Sequence, residues 1–281
     1  MPEGDTVWRT AHRLHEALAG RTLTHTDFRV PRLATVDLSG RTVLEVIPRG
    51  KHLLMRVEGG LTVHSHLGME GAWRLGGPAP AKRAGGDGSD RADQIRAVLG
   101  TAEHTAIGYR LPLLELIRTR AEHGAVGHLG PDLLGPDWDP AEAERRLLVD
   151  PERPLAEALL DQRNLAGIGN VYASELCFLA RSSPWAPVGS LPAPLPTRLL
   201  STAHRLLEAN KDRLARRTTR DPHRDRALYV YGRERRPCRR CGTPITTGGY
   251  GPVDRRRTIW YCPHCQPGPA HPPPPHTPAG G

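Results

Sequence analysis

The sequence contains no apolar run near the ~18 residues that cross a bilayer, and no succession of charged, apolar and small residues of the signal-peptide kind. Each absence removes a class: neither a membrane span nor an export signal is read here, and a cytoplasmic protein is expected. Cysteine is sparse, five in 281 residues, and four of the five fall in two close pairs near the C-terminus. That excludes a disulfide framework and indicates a metal site. Acidic residues fall short of basic ones, 30 against 39, for a net charge of +9. A balance of that sign suits a polyanionic partner such as nucleic acid better than a metabolite. The length allows two domains of the usual ~100 to 200 residues.

The first five residues, MPEGD, carry unusual chemistry for a terminus. With Met1 removed, which the small Pro2 side chain permits, residue 2 offers the only secondary amine a protein can use as a nucleophile. Such an amine can attack a sugar carbon and form an iminium. It must be activated, since an α-amino group titrates near ~8. Glu3 places an acid beside it. A helix follows: Asp5 reads as its N-cap, Val7, Ala11, Leu14 and Leu18 recur at helical spacing, and Gly20 stands at the place of a left-handed C-terminal cap. The helix start disfavours a second positive charge and attracts phosphate. On these residues alone, an ordinary frayed terminus is the competing reading.

Residues 21 to about 127 are rich in short β-like runs, among them Thr42 to Ile47, His52 to Val57 and Leu61 to His66, with a turn at Glu58, Gly59 and Gly60. A β-sandwich is expected. Residues 77–90 hold almost no large apolar side chain and read as a mobile surface loop. Pro48 to Lys51 form a turn that delivers Lys51 to the start of a strand, where it could hold a phosphate or simply be solvated. His64 and His66 share one strand face; they lack an obvious third ligand, so a structural role is the plainer reading. Leu67 to Gly71 make a glycine-flanked tip around Met69, which suits a wedge entering a base stack or, taken alone, core filling.

Residues 128–140, with three prolines, mark a domain boundary. Beyond them the pattern turns helical, near 141–148, 155–165, 171–180 and 195–216, the last carrying Leu199, Ala203, Leu206, Leu207 and Leu214. Between the second and third helices, Leu165 to Asn170 (LAGIGN) combine two glycines with a helix start at about Val171, a place for an anion to which Asn170 could also donate. No Lys-Ser or Lys-Thr follows, so this is not a nucleotide P-loop, and an ordinary helix connection is the alternative. Cys177 reads as a buried thiol. The strongest local signal is Cys238, Cys241, Cys262 and Cys265: two C-x2-C pairs in the spacing of a four-cysteine zinc ribbon, complete without His264. Arg255 to Arg257 would crown its hairpin. The tail beyond Gln266 has no core-forming residue and is expected to be disordered.

In order along residues 2 to about 266, the Pro-Glu-Gly start, PRGKHLL, HSHLGM, AGIGNVYASE and LYVYGRERRPC with RTIWYC resemble the formamidopyrimidine-DNA glycosylase and endonuclease VIII family, in its endonuclease VIII-like branch of the actinobacterial type. The resemblance implies an α+β chain. Its parts would be an N-terminal catalytic β-sandwich with flanking helices (2–127), an interdomain segment (128–140), a helix-two-turn-helix domain (141–227), a zinc finger (228–266) and a disordered tail (267–281). It implies Pro2 as Schiff-base nucleophile and Glu3 as the acid that opens the sugar. Lys51 would contact phosphate and support catalysis, Asn170 and Arg257 would grip phosphates around the lesion, and Met69 would fill the gap left by an everted nucleotide. One structural zinc, a double-stranded DNA partner carrying oxidised bases or abasic sites, a monomer, and a place on the bacterial nucleoid complete it.

Two departures bear on substrate. Thr6 stands where family members often carry a second glutamate. The DPRRFG-like loop that supplies an intercalating aromatic and arginine to the oxidised-purine enzymes is missing, as is the Gly- and aromatic-rich insertion between Asn210 and Tyr229. A bifunctional glycosylase and lyase acting on oxidised pyrimidines by β,δ-elimination is therefore expected. The same chemistry on oxidised purines, or a non-catalytic damaged-DNA-binding protein, are the alternatives.

Overall fold

In the computed structural model, residues 1–78, 92–251 and 256–269 are described. The sequence readings for most of the 77–90 loop, for Arg255 and for the tail from residue 270 lie outside them. The chain divides into two compact units, Met1–His128 and Leu129–Gly281. Among the described residues no helix is long and apolar enough to cross a membrane.

The first unit opens on α1 (Gly4–Leu18), which buries Val7, Ala11, Leu14 and Leu18 as the spacing predicts. Gly20 follows with φ of 75°, the left-handed conformation that glycine adopts most readily. The cap differs from expectation. Glu3 occupies the N-cap position without a side-chain capping bond, and Asp5 is buried inside the first turn, its carboxylate accepting the Thr6 amide at 2.7 Å and the Thr6 hydroxyl at 3.3 Å. A short acidic side chain gains there from the helix dipole and satisfies a first-turn donor without standing outside the helix.

Among the described residues eight strands follow: β1 (His25–Phe28), β2 (Val43–Arg49), β3 (His52–Val57), β4 (Leu61–His66), β5 (Ala72–Gly76), β6 (Ile95–Gly100), β7 (Thr105–Tyr109) and β8 (Leu113–Arg118). They form two antiparallel sheets, ordered β1-β6-β7-β5 and β2-β3-β4-β8. Phe28, Leu99 and Ala106 from one sheet and Val46, Leu53, Met55 and Val63 from the other join Leu14 and Leu18 of α1 in one core. The unit is a β-sandwich with α1 packed along β2. Each fully buried aliphatic side chain contributes roughly 1.5–3 kcal/mol, and β3, β4 and β6 run almost continuously buried.

Register decides what gathers at one end of the second sheet. Arg49 pairs with His52 across the two-residue turn Gly50–Lys51, whose first central residue is a glycine with φ of 58°. His52 pairs with His66, and His66 with Leu113, in one row across three strands. Immediately past that row lie the Gly50–Lys51 turn and the tip between β4 and β5. A short helix, α2 (Glu122–Val126), closes the unit, and Glu122 accepts hydrogen bonds from Arg56 and Thr62.

The second unit contains α3 (Pro140–Leu147), α4 (Leu155–Leu160), α5 (Asn170–Leu179) and α6 (Leu195–Asn210), followed by the hairpin β9 (Thr246–Tyr250) and β10 (Arg257–Tyr261). Asp139 caps α3 through the amides of Ala141 and Glu142. α4 ends five residues before the sequence pattern does, because Asp161 leaves the helical conformation and accepts the Asp161–Arg163 turn's own amide and the Arg163 side chain. α6 stops at Asn210 rather than reaching 216. The Asn210 carboxamide donates to the carbonyls of Leu206 and Arg217 and accepts the Arg217 amide, which turns the chain out of the helix. Leu214, expected on the helix's apolar face, is accordingly 86% exposed. α5 is buried on nearly every side, the property of a central core helix.

Candidate active site and metal centre

Pro2 is half-buried directly ahead of α1, and Glu3 is fully buried at its first turn. The Glu3 carbonyl accepts the amides of Thr6 and Val7, so the residue is held by the helix it precedes. α1 lies along β2, the strand that leads into the Gly50–Lys51 turn. Lys51 is half-buried in that turn, and Met69 stands 72% exposed at the neighbouring tip. A large apolar side chain held out in water has no packing role to justify it; the core-filling alternative for Met69 is removed. The tip is tightly built. Gly68 has φ of 61°, and a Cβ on Gly71 would stand 2.3 Å from the Leu67 carbonyl oxygen. Glu70 is paired with Arg110 at 2.5 Å.

The sequence left His64 and His66 without a third partner; the fold supplies one. His52 Nδ1 lies 2.8 Å from His64 Nε2, and His64 Nδ1 lies 2.7 Å from Glu115 Oε1. His66 Nδ1 accepts the Gly68 amide at 2.9 Å, and the His52 and His66 rings meet edge to face with centres 5.0 Å apart. The 2.8 Å between nitrogens is a hydrogen bond and leaves no space for a metal between them. Burial, with the neighbouring His66, His64, His128 and Lys51, holds the His52 pKa down to about 3. Burial, Lys51 and His64 likewise press His66 below its ordinary value.

In the second unit, Asn170 is the first residue of α5, one position before the expected start, and is only 8% exposed. Its Nδ2 donates to the Thr258 carbonyl at 2.6 Å, and its Oδ1 accepts the Tyr250 hydroxyl at 3.4 Å. The helix start is thus brought against the finger hairpin beside Arg257, which is exposed at the head of β10. The two proposed phosphate-gripping residues share one neighbourhood, although one amide hydrogen of Asn170 is already committed to the protein.

Cys238, Cys241, Cys262 and Cys265 hold their sulfurs within 4.8 Å of one another. The separations of 3.9 Å for Cys238–Cys265 and 3.5 Å for Cys241–Cys262 match the ~3.8 Å edge of a tetrahedron with Zn–S bonds of ~2.3 Å. The amides of Arg240 and Cys265 approach the Cys238 and Cys262 sulfurs at 3.4 Å, so backbone N–H dipoles already face two of the four sulfurs. These residues fit a four-thiolate metal site. Cys177, by contrast, is fully buried in the helical core and its thiol is pushed up to about 12 by burial.

Sequence reasoning passed over Glu175. It is fully buried on α5, where Oε2 accepts the Thr218 hydroxyl and the Tyr229 amide and Oε1 accepts the amides of Val230 and Tyr231. One carboxylate thereby fixes both ends of the segment between α6 and the finger.

Residues 1–110 match the formamidopyrimidine-DNA glycosylase N-terminal domain, and residues 129–217 match the formamidopyrimidine-DNA glycosylase H2TH domain. The chain belongs to the formamidopyrimidine-DNA glycosylase and endonuclease VIII family. Within it, the relatives at 49–63% identity are of the endonuclease VIII kind. The chain is 63% identical over 270 residues to the probable endonuclease 8 2 of Streptomyces coelicolor, covering 96% of this chain and 95% of that one. It is 52% identical over 266 residues to the DNA-(apurinic or apyrimidinic site) lyase Nei2 of Mycolicibacterium smegmatis, covering 95% and 99%. Among solved structures, the Lactococcus lactis Fpg in complex with DNA containing an abasic site superimposes with a TM-score of 0.77 at 23% identity, over 95% of this chain and 100% of that one, a likeness of fold.

Proposed function

We propose that this chain is a bifunctional DNA glycosylase and abasic-site lyase of base excision repair, acting on oxidised pyrimidines through a Schiff base on Pro2 and cleaving the strand by β,δ-elimination. The observation that carries the reading is the head of α1: a proline amine and a fully buried carboxylate, Glu3, on a helix packed along the strand that leads to Lys51. With Met1 removed, the Pro2 nitrogen attacks C1′, and Glu3 supplies the proton that lets the sugar ring open. Lys51 holds a phosphate and assists elimination. Met69 fills the space of the everted nucleotide, and Asn170 and Arg257 hold backbone phosphates. Four cysteine thiolates would hold one zinc that organises the finger and, with no open position, takes no part in the chemistry.

The pyrimidine assignment is supported by the connection between β7 and β8, which is only Arg110, Leu111 and Pro112. That turn has no room for an intercalating aromatic-arginine loop. The partner is duplex DNA, the protein works as a monomer, and it acts on the nucleoid in a bacterial cytoplasm. Its division is a catalytic domain (2–127), a connecting segment (128–140), a helical domain (141–227) and a finger (228–266).

Borohydride trapping on duplexes carrying thymine glycol, dihydrouracil, 8-oxoguanine or an abasic site tests the reading. Covalent complexes are expected with the two pyrimidine lesions and the abasic site, and none in protein shown by mass spectrometry to retain Met1, whose Pro2 nitrogen is an amide. Trapping by Met1-retaining protein would remove Pro2 as the nucleophile, and preferential trapping on 8-oxoguanine would reverse the substrate class.

A further inference from the structure

We propose that Arg233 is the buried counter-charge of the four-cysteine centre, a guanidinium held beside the first cysteine of the finger that favours four sulfurs standing as thiolates around one metal ion. The inference rests on the zinc reading above. It assigns a residue that balances the charge of the centre without ligating the metal.

From Gly232 to Pro237 the chain runs at the surface, and Arg233 alone is turned inward, with 9% of its surface exposed. Its side chain lies back along its own segment. One terminal nitrogen donates to the Tyr229 carbonyl, and the other donates to the Pro237 carbonyl at 2.8 Å. Pro237 immediately precedes Cys238, so the second bond sets the positive charge against the peptide that leads into a metal-ligating residue. The Nε atom is buried without a hydrogen-bond partner, and among the described residues no carboxylate is in ion-pair contact with the guanidinium. Burial and the neighbouring Arg239 work against its charge, while Glu175 and Cys238 work for it.

An arginine does not shed its proton inside a protein, and a buried charge without a partner is strongly destabilising. Glu175 does not supply direct contact, because its oxygens are taken by the Thr218 hydroxyl and the amides of Tyr229, Val230 and Tyr231. The cysteine centre has the complementary need. Four thiolates around one zinc ion leave two negative charges. Two of the ligands, Cys238 and Cys262, are buried among Phe178, Val230 and Ile245, where little water screens them. The two backbone N–H groups that face these sulfurs carry only partial charges. Arg236, Arg239 and Arg240 are close in sequence but exposed, so solvent weakens their effect. Arg233 is the full positive charge inside, and each of the two opposite charges makes the burial of the other tolerable.

A purely structural role would give the side chain nothing but its two carbonyl bonds, and three substitutions separate the readings. Arg233→Lys keeps the charge and gives up the forked geometry, Arg233→Gln keeps a donor for a carbonyl and gives up the charge, and Arg233→Met keeps neither. The zinc affinity of each full-length protein is measured at one pH by competition with a chromogenic chelator. Arg233→Lys should stay close to wild type, and Arg233→Gln and Arg233→Met should each hold zinc about 10- to 100-fold more weakly, the usual effect of a residue that supports metal ligands. Arg236→Met, which removes an exposed charge from the same segment, should leave the affinity unchanged. Wild-type affinity in Arg233→Gln, or an Arg233→Gln that matches or exceeds Arg233→Lys, would overturn the proposal in favour of the carbonyl bonds. If Arg233→Met does not fold, the order of the lysine and glutamine substitutions decides alone. A wild-type protein that binds no zinc would instead sink the metal reading, so the two failures are distinguishable.

Discussion

Glu175→Ala removes a single side chain that touches no proposed reacting group, yet its cost should be among the largest in the second unit. Four donors converge on the carboxylate: the Thr218 hydroxyl and the amides of Tyr229, Val230 and Tyr231 at 2.8, 2.8 and 2.9 Å. After truncation the Thr218 hydroxyl can turn to the Ala227 carbonyl, already 3.4 Å away. Three backbone amides remain in a site with no exposure. At ~1–3 kcal/mol for each buried donor left without a partner, and with water entering the vacated space to serve one of them, the loss is about 3–5 kcal/mol. For a unit of this size that corresponds to roughly 10 °C in melting temperature. Glu175→Gln keeps one acceptor oxygen and turns an NH2 group toward two of the donors, so it should recover less than half of the loss. Thermal unfolding is the primary assay, with Trp260 fluorescence as a local probe, since its ring lies 4.5 Å from Tyr231. Zinc release to a chelator should accelerate in parallel, because the freed segment leads into Cys238. A loss below about 1 kcal/mol for the alanine variant would refute the premise that these four bonds are what holds the segment.

Two further expectations concern charge and shape. The Asp161 carboxyl is held well below the usual carboxylate range, first by the hydrogen bond from Arg163 and then by that from Arg153. A folded pKa below the unfolded one stabilises fully above the unfolded value near ~4, and that gain is lost as pH falls through the folded value. Urea midpoints of wild type and Asp161→Asn should therefore differ at pH 6 and converge toward pH 2, and parallel profiles would count against the assignment. Gly71→Ala should displace the Met69 tip and cost about 1–3 kcal/mol, because its Cβ meets two backbone carbonyls, those of Leu67 and Arg110, at 2.3 and 3.0 Å. Gly77→Ala, with nothing within 4 Å, is the matched control, and equal melting temperatures for the two variants would show that the tip yields without cost.

What could be read in advance was what depends on neighbours in sequence. The 3.6-residue recurrence of Val7, Ala11, Leu14 and Leu18 gave α1, and two short β-like runs about the Glu58–Gly60 turn gave β3 and β4. The cysteine spacing announced its cluster because a tetrahedral metal needs two close pairs that a short hairpin can bring together. Helix ends were read less well. Each of the three misplacements is a polar side chain preferring a local bond to a longer helix: Asp5 to Thr6, Asp161 to Arg163 and Asn210 to Arg217. Periodicity is blind to such bonds, and it ran through Leu214 because a leucine at the right interval looks the same whether or not the helix still exists.

The site was legible to the same rule and failed for the same reason. Pro2, Glu3, Lys51 and the Met69 tip sit inside short motifs and could be named. Glu115 could not, since its partner His64 is 51 residues away and meets it only through the β4–β8 register. Glu175 could have been found without register. It is the only acid in a helix whose other residues are apolar or small except for Asn170 and Ser174, and such a helix is buried on all sides. A carboxylate carried into a core must meet donors or give up its charge. The nearest supply is a stretch of backbone outside regular structure, and the run from Leu228 to Tyr231 is that stretch. An acid alone in an apolar helix is therefore a statement about a loop elsewhere in the chain, here the one that delivers the first cysteine of the finger.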